Sequence, residues 1–182
     1  MNAQKAIKRF DKLANEWLQD LQTLDSEIIG INPDDKTWSI AEVYDHVMKV
    51  ARTYQIPNLL QSLTDHAVRK RSKNMVGLAI FDLVYRKNVR MRMEEFPEKL
   101  VNLFSPVKRE KADLMVDFTS FIDEVKSLEQ KVLNSNSKHR QYHPMFGDIS
   151  TKEWYYLIEF HMWQHNKQKK KIMSILHTKR SV

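Results

Sequence analysis

His161 and His165 stand four residues apart in the last third of the chain. On a helix that separation stacks two side chains on one face, about one turn apart, so both imidazoles can reach a single ion. His46 lies between Val43 and Val47 in a segment whose apolar periodicity faces it inward. Three neutral imidazoles from two facing helices leave one or more coordination positions for water or substrate, the layout of a catalytic metal site. An imidazole-rich set of this kind suits zinc or nickel. The same residues have a plainer reading. A histidine pair at this spacing arises by chance, and a lone inward histidine is more often a hydrogen-bonded core group than a ligand. Burying three imidazoles in an apolar stripe carries a desolvation cost, however, and a metal would offset it.

The elements that must position these groups announce themselves locally. Ile7, Phe10, Leu13, Trp17, Leu21 and Leu24 recur every three or four residues and define one face of a first helix, ending before Asn32-Pro33. A second helix starts at Ser39 as N-cap, with Glu42 as its capping-box partner and Trp38 stapling onto Val43. Its inner face reads Val43, His46, Val47, Val50 and Tyr54, and Pro57 should kink or interrupt it. Leu114, Met115, Phe118, Phe121, Ile122, Val125 and Leu128 mark a third, ending near Asn134 to Ser137. The fourth repeats the grammar of the second, with Ser150 as N-cap, Glu153 as box partner and Ile149 with Trp154 as staple. Its inner stripe runs Trp154, Leu157, Ile158, His161, His165, Gln168, Ile172 and Ile175. Between the second and third, residues 74 to 95 read as a helical insertion, followed by a loop from Pro97 to Pro106. The expected fold is therefore all-α: an up-down four-helix bundle forming a single domain over residues 1 to 182. Three glycines and five prolines are too few turn formers for a many-stranded alternative.

Composition narrows the chemistry further. With no cysteine there is no disulfide, thiolate ligand or cysteine nucleophile, so a metal must rely on His, Asp, Glu or water. The amphipathic N-terminus has no long apolar core and the strongest apolar run, Met75 to Tyr85, is well short of the ~20 residues of a membrane span. A cytoplasmic protein without a membrane partner is expected. The formal charge of +7 is concentrated in basic runs at Arg69 to Lys73, Arg86 to Arg92 and Lys167 to Lys171. No nucleic-acid-binding signature accompanies them, so they read as solvated faces and no specific nucleic acid is expected. No serine triad, P-loop or carboxylate pair competes with the histidines.

Trp38-Ser39-x-x-Glu42-x-x-x-His46, His143-Pro144-x-Phe146-Gly147, and then Glu153-Trp154, Leu157, His161, His165 and Gln168 together resemble the DinB/YfiT-like superfamily. The resemblance covers both ends of the bundle and leaves residues 55 to 111 without a matching motif. It implies a DinB/YfiT-like four-helix bundle with His46, His161 and His165 as the three metal ligands. Where relatives often carry a further histidine just before the last ligand, this chain has Gln164. The resemblance also implies a homodimer and thiol chemistry on a small-molecule substrate, either that of a metal-dependent S-transferase with a low-molecular-weight thiol or thiol-dependent isomerisation; metal-bound hydroxide at the same site would instead make a hydrolase. The alternative is a non-catalytic metal-binding stress or interaction module.

Neighbouring polar residues divide between the site and the scaffold. Gln168 sits on the inner stripe and is expected to hydrogen-bond into the site or to a ligand imidazole. His143 could serve as a fourth ligand or proton shuttle, but a His-Pro ahead of a helix is more simply a loop-fixing element. Glu42 is explained by its capping box, Asp45 and Glu159 should point off the inner face into solvent, and His66, His139 and His177 are read as surface. No catalytic residue is assigned.

Overall fold

The computed structural model describes residues 2–64, 72–83, 98–136 and 138–180. It is mostly helical. The elements are α1 (Ala3–Thr23), α2 (Ser26–Ile29), α3 (Ile40–Val50), α4 (Ile56–Gln61), α5 (Met75–Leu78), α6 (Glu98–Phe104), α7 (Lys111–Ser127), α8 (Glu129–Leu133), strands β1 (Arg140–His143) and β2 (Gly147–Ser150), and the long α9 (Thr151–Arg180). Helices α1 and α3 each pack on both α7 and α9. The stripes predicted for α1, α3 and α7 contribute to one core, in which Tyr44, off the face expected for α3, interlocks its ring with those of Trp17 and Phe118. Tyr44 also donates its hydroxyl to the Trp17 carbonyl at 2.6 Å, tying α3 to α1.

Both capping boxes form. Glu42 accepts the Ser39 backbone N–H at 2.8 Å while its own N–H donates to the Ser39 hydroxyl. Glu153 accepts the Ser150 N–H at 2.7 Å in the same way. These boxes satisfy orphan donors at the first turns of the helices that carry the three histidines, and so set where each helix begins.

Pro57 changes the register of its helix without ending it. Lacking an N–H to continue the ladder, it follows a π-helical turn over Ala51–Gln55, after which the chain continues as α4. The segment before α9 is a short antiparallel hairpin, the departure from a purely helical chain, with Arg140 opposite Ser150 and His143 opposite Gly147. Gly147 adopts φ 77°, and a Cβ there would meet the Asn74 backbone nitrogen at 2.8 Å, so the turn and the docking of residues 72–77 both require glycine.

Several expectations are corrected. The stretch from Pro97 to Pro106, read as a loop, contains helix α6, whose last residue Phe104 packs its ring on Tyr54 at 5.7 Å. Of the expected insertion, Met75–Leu78 is α-helical and Ala79–Leu83 continues as a π-helical turn. Residues 84 to 95 of it, which include the run Arg86 to Arg92, lie outside the described residues, as do most of Arg69 to Lys73 and His66. Asp45 and Glu159 are buried and engaged: Asp45 accepts the Val107 N–H at 2.9 Å, and Glu159 pairs with Arg9 at 3.4 Å. Lys169, in the supposedly solvated run Lys167 to Lys171, is 0% exposed and pairs with Asp20 at 2.5 Å. The common cause for Glu159 and Lys169 is that α9 is not a surface helix with one apolar face. Packing of α1, α3, α4, α8 and β2 around it encloses its flanks as well as its inner stripe. Among the described residues, no helix is long and apolar enough to cross a membrane.

Candidate metal centre

Helix α3 presents His46 one turn beyond its capping box, and α9 presents His161 and His165 from successive turns. Packing of α3 on α9 brings the three rings together, with centroids 5.1 Å (His46 to His161), 4.8 Å (His46 to His165) and 4.6 Å (His161 to His165) apart. One ligating nitrogen from each lies within 4.8 Å of the other two. Bonds of ~2 Å would hold donors within ~4 Å of each other, so closing onto one ion requires a movement of about an ångström.

Two of the rings are held by their outer nitrogens. His46 donates from Nδ1 to the Phe104 carbonyl at 2.8 Å, and His165 donates from Nδ1 to Gln168 Oε1 at 2.8 Å. Each bond places the proton on Nδ1 and leaves the Nε2 lone pair for a ligand, the arrangement in which an outer partner orients a metal-binding histidine. His161 Nδ1 is buried with no hydrogen-bond partner among the described residues. An unsatisfied buried polar atom costs roughly 1–3 kcal/mol, which a bond to that nitrogen would recover.

All three imidazoles are biased towards the neutral form that can donate a lone pair. Burial lowers the pKa of His46 against the opposing pull of the Phe104 carbonyl. Burial followed by the proximity of His165 and His46 puts His161 well below its ordinary value. Burial and His46 bring His165 down to about 3. Trp38 covers the cluster, 4.8 Å from the His46 ring and stacked at 6.1 Å on His165.

Beside the triad opens a cavity of about 100 Å³, walled by Val50, Tyr54, Gln55, Phe104, His143, Phe146, Leu157 and Gln164 along with the three histidines. His143 belongs to this wall in addition to its place in the hairpin. Its ring stacks on Phe146 at 4.3 Å and its Nδ1 accepts the Met145 N–H at 3.1 Å. In the neutral state, favoured by burial that lowers its pKa to about 4, the proton therefore resides on Nε2. His143 is not among the three ligating groups. His177 is exposed and His139 half-buried, both apart from the triad.

The sequence reading missed Trp38 as a cover, the Phe104 carbonyl and Gln55. A backbone carbonyl supplied from a distant segment leaves no residue-type signal. Gln55 had a weak one, a polar residue beside the inner stripe just ahead of Pro57. The π-helical turn adds a residue to the register and brings both Tyr54 and Gln55 to the cavity.

No family model matches the chain, and no curated protein matches it.

Proposed function

We propose that this chain is a divalent-metal protein of the DinB/YfiT-like type, a four-helix bundle in which His46, His161 and His165 hold zinc or nickel. The observation that carries the reading is the cluster of three neutral imidazoles within 4.8 Å, two of them oriented by hydrogen bonds that free Nε2. The donor set fits such an ion: all nitrogen, uncharged, and packed against a cavity. A divalent ion held this way keeps its charge and lowers the pKa of a bound water or thiol towards neutrality. That chemistry serves thiol S-transfer or hydrolysis on a small molecule, and the cavity beside the triad favours turnover over passive metal storage. Around that chemistry the chain's own groups divide the work. Phe104 and Gln168 fix the ring orientations, Trp38 limits access of water, and the aromatic wall of Tyr54, Phe104 and Phe146 receives the substrate's apolar body.

The test is elemental analysis of purified protein alongside a conjugation assay with a low-molecular-weight thiol and an electrophile. The expected result is close to one ion per chain and turnover that disappears on chelation. Failure to retain zinc or nickel after loading would overturn the metal reading, whereas metal binding without any turnover would leave the metal site and remove the enzyme.

A further inference from the structure

The wall of the cavity contains no Asp, Glu, Lys or Arg among the described residues. In a chain that is 29% charged, a pocket lined only by apolar, aromatic, imidazole and carboxamide groups selects against charged ligands. An ion entering it would shed its hydration without finding a counter-charge from the protein. Within this wall one group is incomplete. Gln55 is 5% exposed, and its Nε2 donates to the Leu157 carbonyl at 3.3 Å, which fixes the orientation of the carboxamide. Its Oε1 is buried and has no hydrogen-bond partner among the described residues. Turning the amide over would set two oxygens against each other, so the acceptor stays where it is. Buried acceptors of this kind are normally satisfied, and Gln55 is one of the residues that line the cavity.

The geometry points to Gln55 as the substrate anchor of this site: Oε1 accepts an O–H or N–H from an uncharged small molecule whose apolar body lies against Tyr54, Phe104 and Phe146. The substrate class follows from the wall. It is neutral, compact and carries a hydrogen-bond donor. This rests on the small-molecule reading of the pocket but not on the presence of a metal, because the unfilled acceptor belongs to the protein alone. Gln55 is outside the ligand set, so its replacement removes recognition without removing a metal ligand.

The probes are the isomers 1-butanol and diethyl ether, which share their atoms but differ in the donor, with butyrate and butylammonium as charged counterparts. Each is titrated into full-length protein, metal-free and zinc-loaded, with the Gln55 carboxamide followed by NMR. One neutral hydrogen bond is worth about 1 kcal/mol, so metal-free protein should prefer 1-butanol over diethyl ether by roughly three- to tenfold. The Gln55 carboxamide resonances should move with 1-butanol, and both charged probes should bind metal-free protein more weakly. In Gln55→Leu the isomer preference should collapse towards one while zinc content is retained. In metal-free protein, equal affinity for the two isomers, a preference that survives in Gln55→Leu, unmoved Gln55 resonances, or charged probes bound as well as 1-butanol would each overturn the proposal. Should Gln55→Leu fail to fold, the wild-type isomer ratio and resonance shifts decide alone. Failure of the metal reading would show separately, as absence of bound zinc in the wild-type protein.

Discussion

Successive turns of α9 carry two buried polar clusters of opposite kind. His161 and His165 join His46 in a group without formal charge, whose His161 Nδ1 has no partner among the described residues. Four residues after His165, Lys169 is buried beside a counter-ion. It bonds Asp20 at 2.5 Å and lies 4.5 Å from the Trp17 ring and 5.6 Å from that of Tyr44. Both clusters cost desolvation. The lysine recovers part of that cost by an ion pair and cation–π contacts, though burial still lowers its pKa, whereas no described residue partners the His161 Nδ1. The ion pair makes Lys169 a scaffold residue that fastens α9 to α1, whereas the unpartnered His161 Nδ1 is what the proposed metal site builds on.

The sharpest way to break this comparison is to remove a member from each side. His161→Ala should abolish metal retention, a loss larger than the ~10–100-fold expected for Gln168→Ala, which removes only the partner orienting His165. Elemental analysis and metal competition titrations measure both. Metal-free His161→Ala should lose little stability, since it deletes a buried group that was unsatisfied. Substantial unfolding of that variant without metal would make His161 a scaffold residue like Lys169.

Acid should act on the histidine side. The triad and His143 are all harder to protonate folded than unfolded, chiefly through burial. Below the unfolded value of ~6.5 the unfolded chain therefore binds more protons, and stability falls as pH drops. Above ~6.5 these groups contribute no pH dependence. His143 alone, with its folded value about 4, accounts for a loss on the order of 3 kcal/mol between ~6.5 and about 4. Denaturant unfolding of metal-free protein across that range tests this, and His143→Phe should flatten the slope.

Lys169→Ala comes next. Breaking a buried pair costs ~3–5 kcal/mol, but the Asp20 side chain is 24% exposed and can turn to water, so a loss of about 2–3 kcal/mol is expected. In a chain of this size that is roughly 5–10 °C in Tm. Replacing both partners, as Lys169→Met with Asp20→Leu, should recover most of it. A double variant as unstable as the single one would mean that Lys169 acts through something other than the pair.

The smallest effect belongs to Lys170, whose side chain is 58% exposed and pairs with Glu16 at the surface. Lys170→Ala should change stability by less than ~0.5 kcal/mol, as exposed pairs do. One position of difference within the same basic run thus separates a structural cation from a solvated one.

That contrast also defines how much was legible beforehand. The two capping boxes, the stripes of α1, α3 and α7, and the alignment of His161 with His165 follow from contacts three or four residues apart, so the sequence by itself determined them. So did the absence of thiolate chemistry. What encloses a helix is a long-range matter. Glu159, Asp45 and Lys169 sit off the expected inner faces, and only the packing of distant segments around them decided that they are buried. The orientation of His46 likewise depends on the carbonyl of Phe104, 58 residues away, and the place of Gln55 in the cavity wall on a π-helical turn. Side-chain type and spacing encode which groups share a helix face. The identity of the groups that satisfy them, or leave them unsatisfied, is decided by backbone atoms and neighbours that carry no local signal.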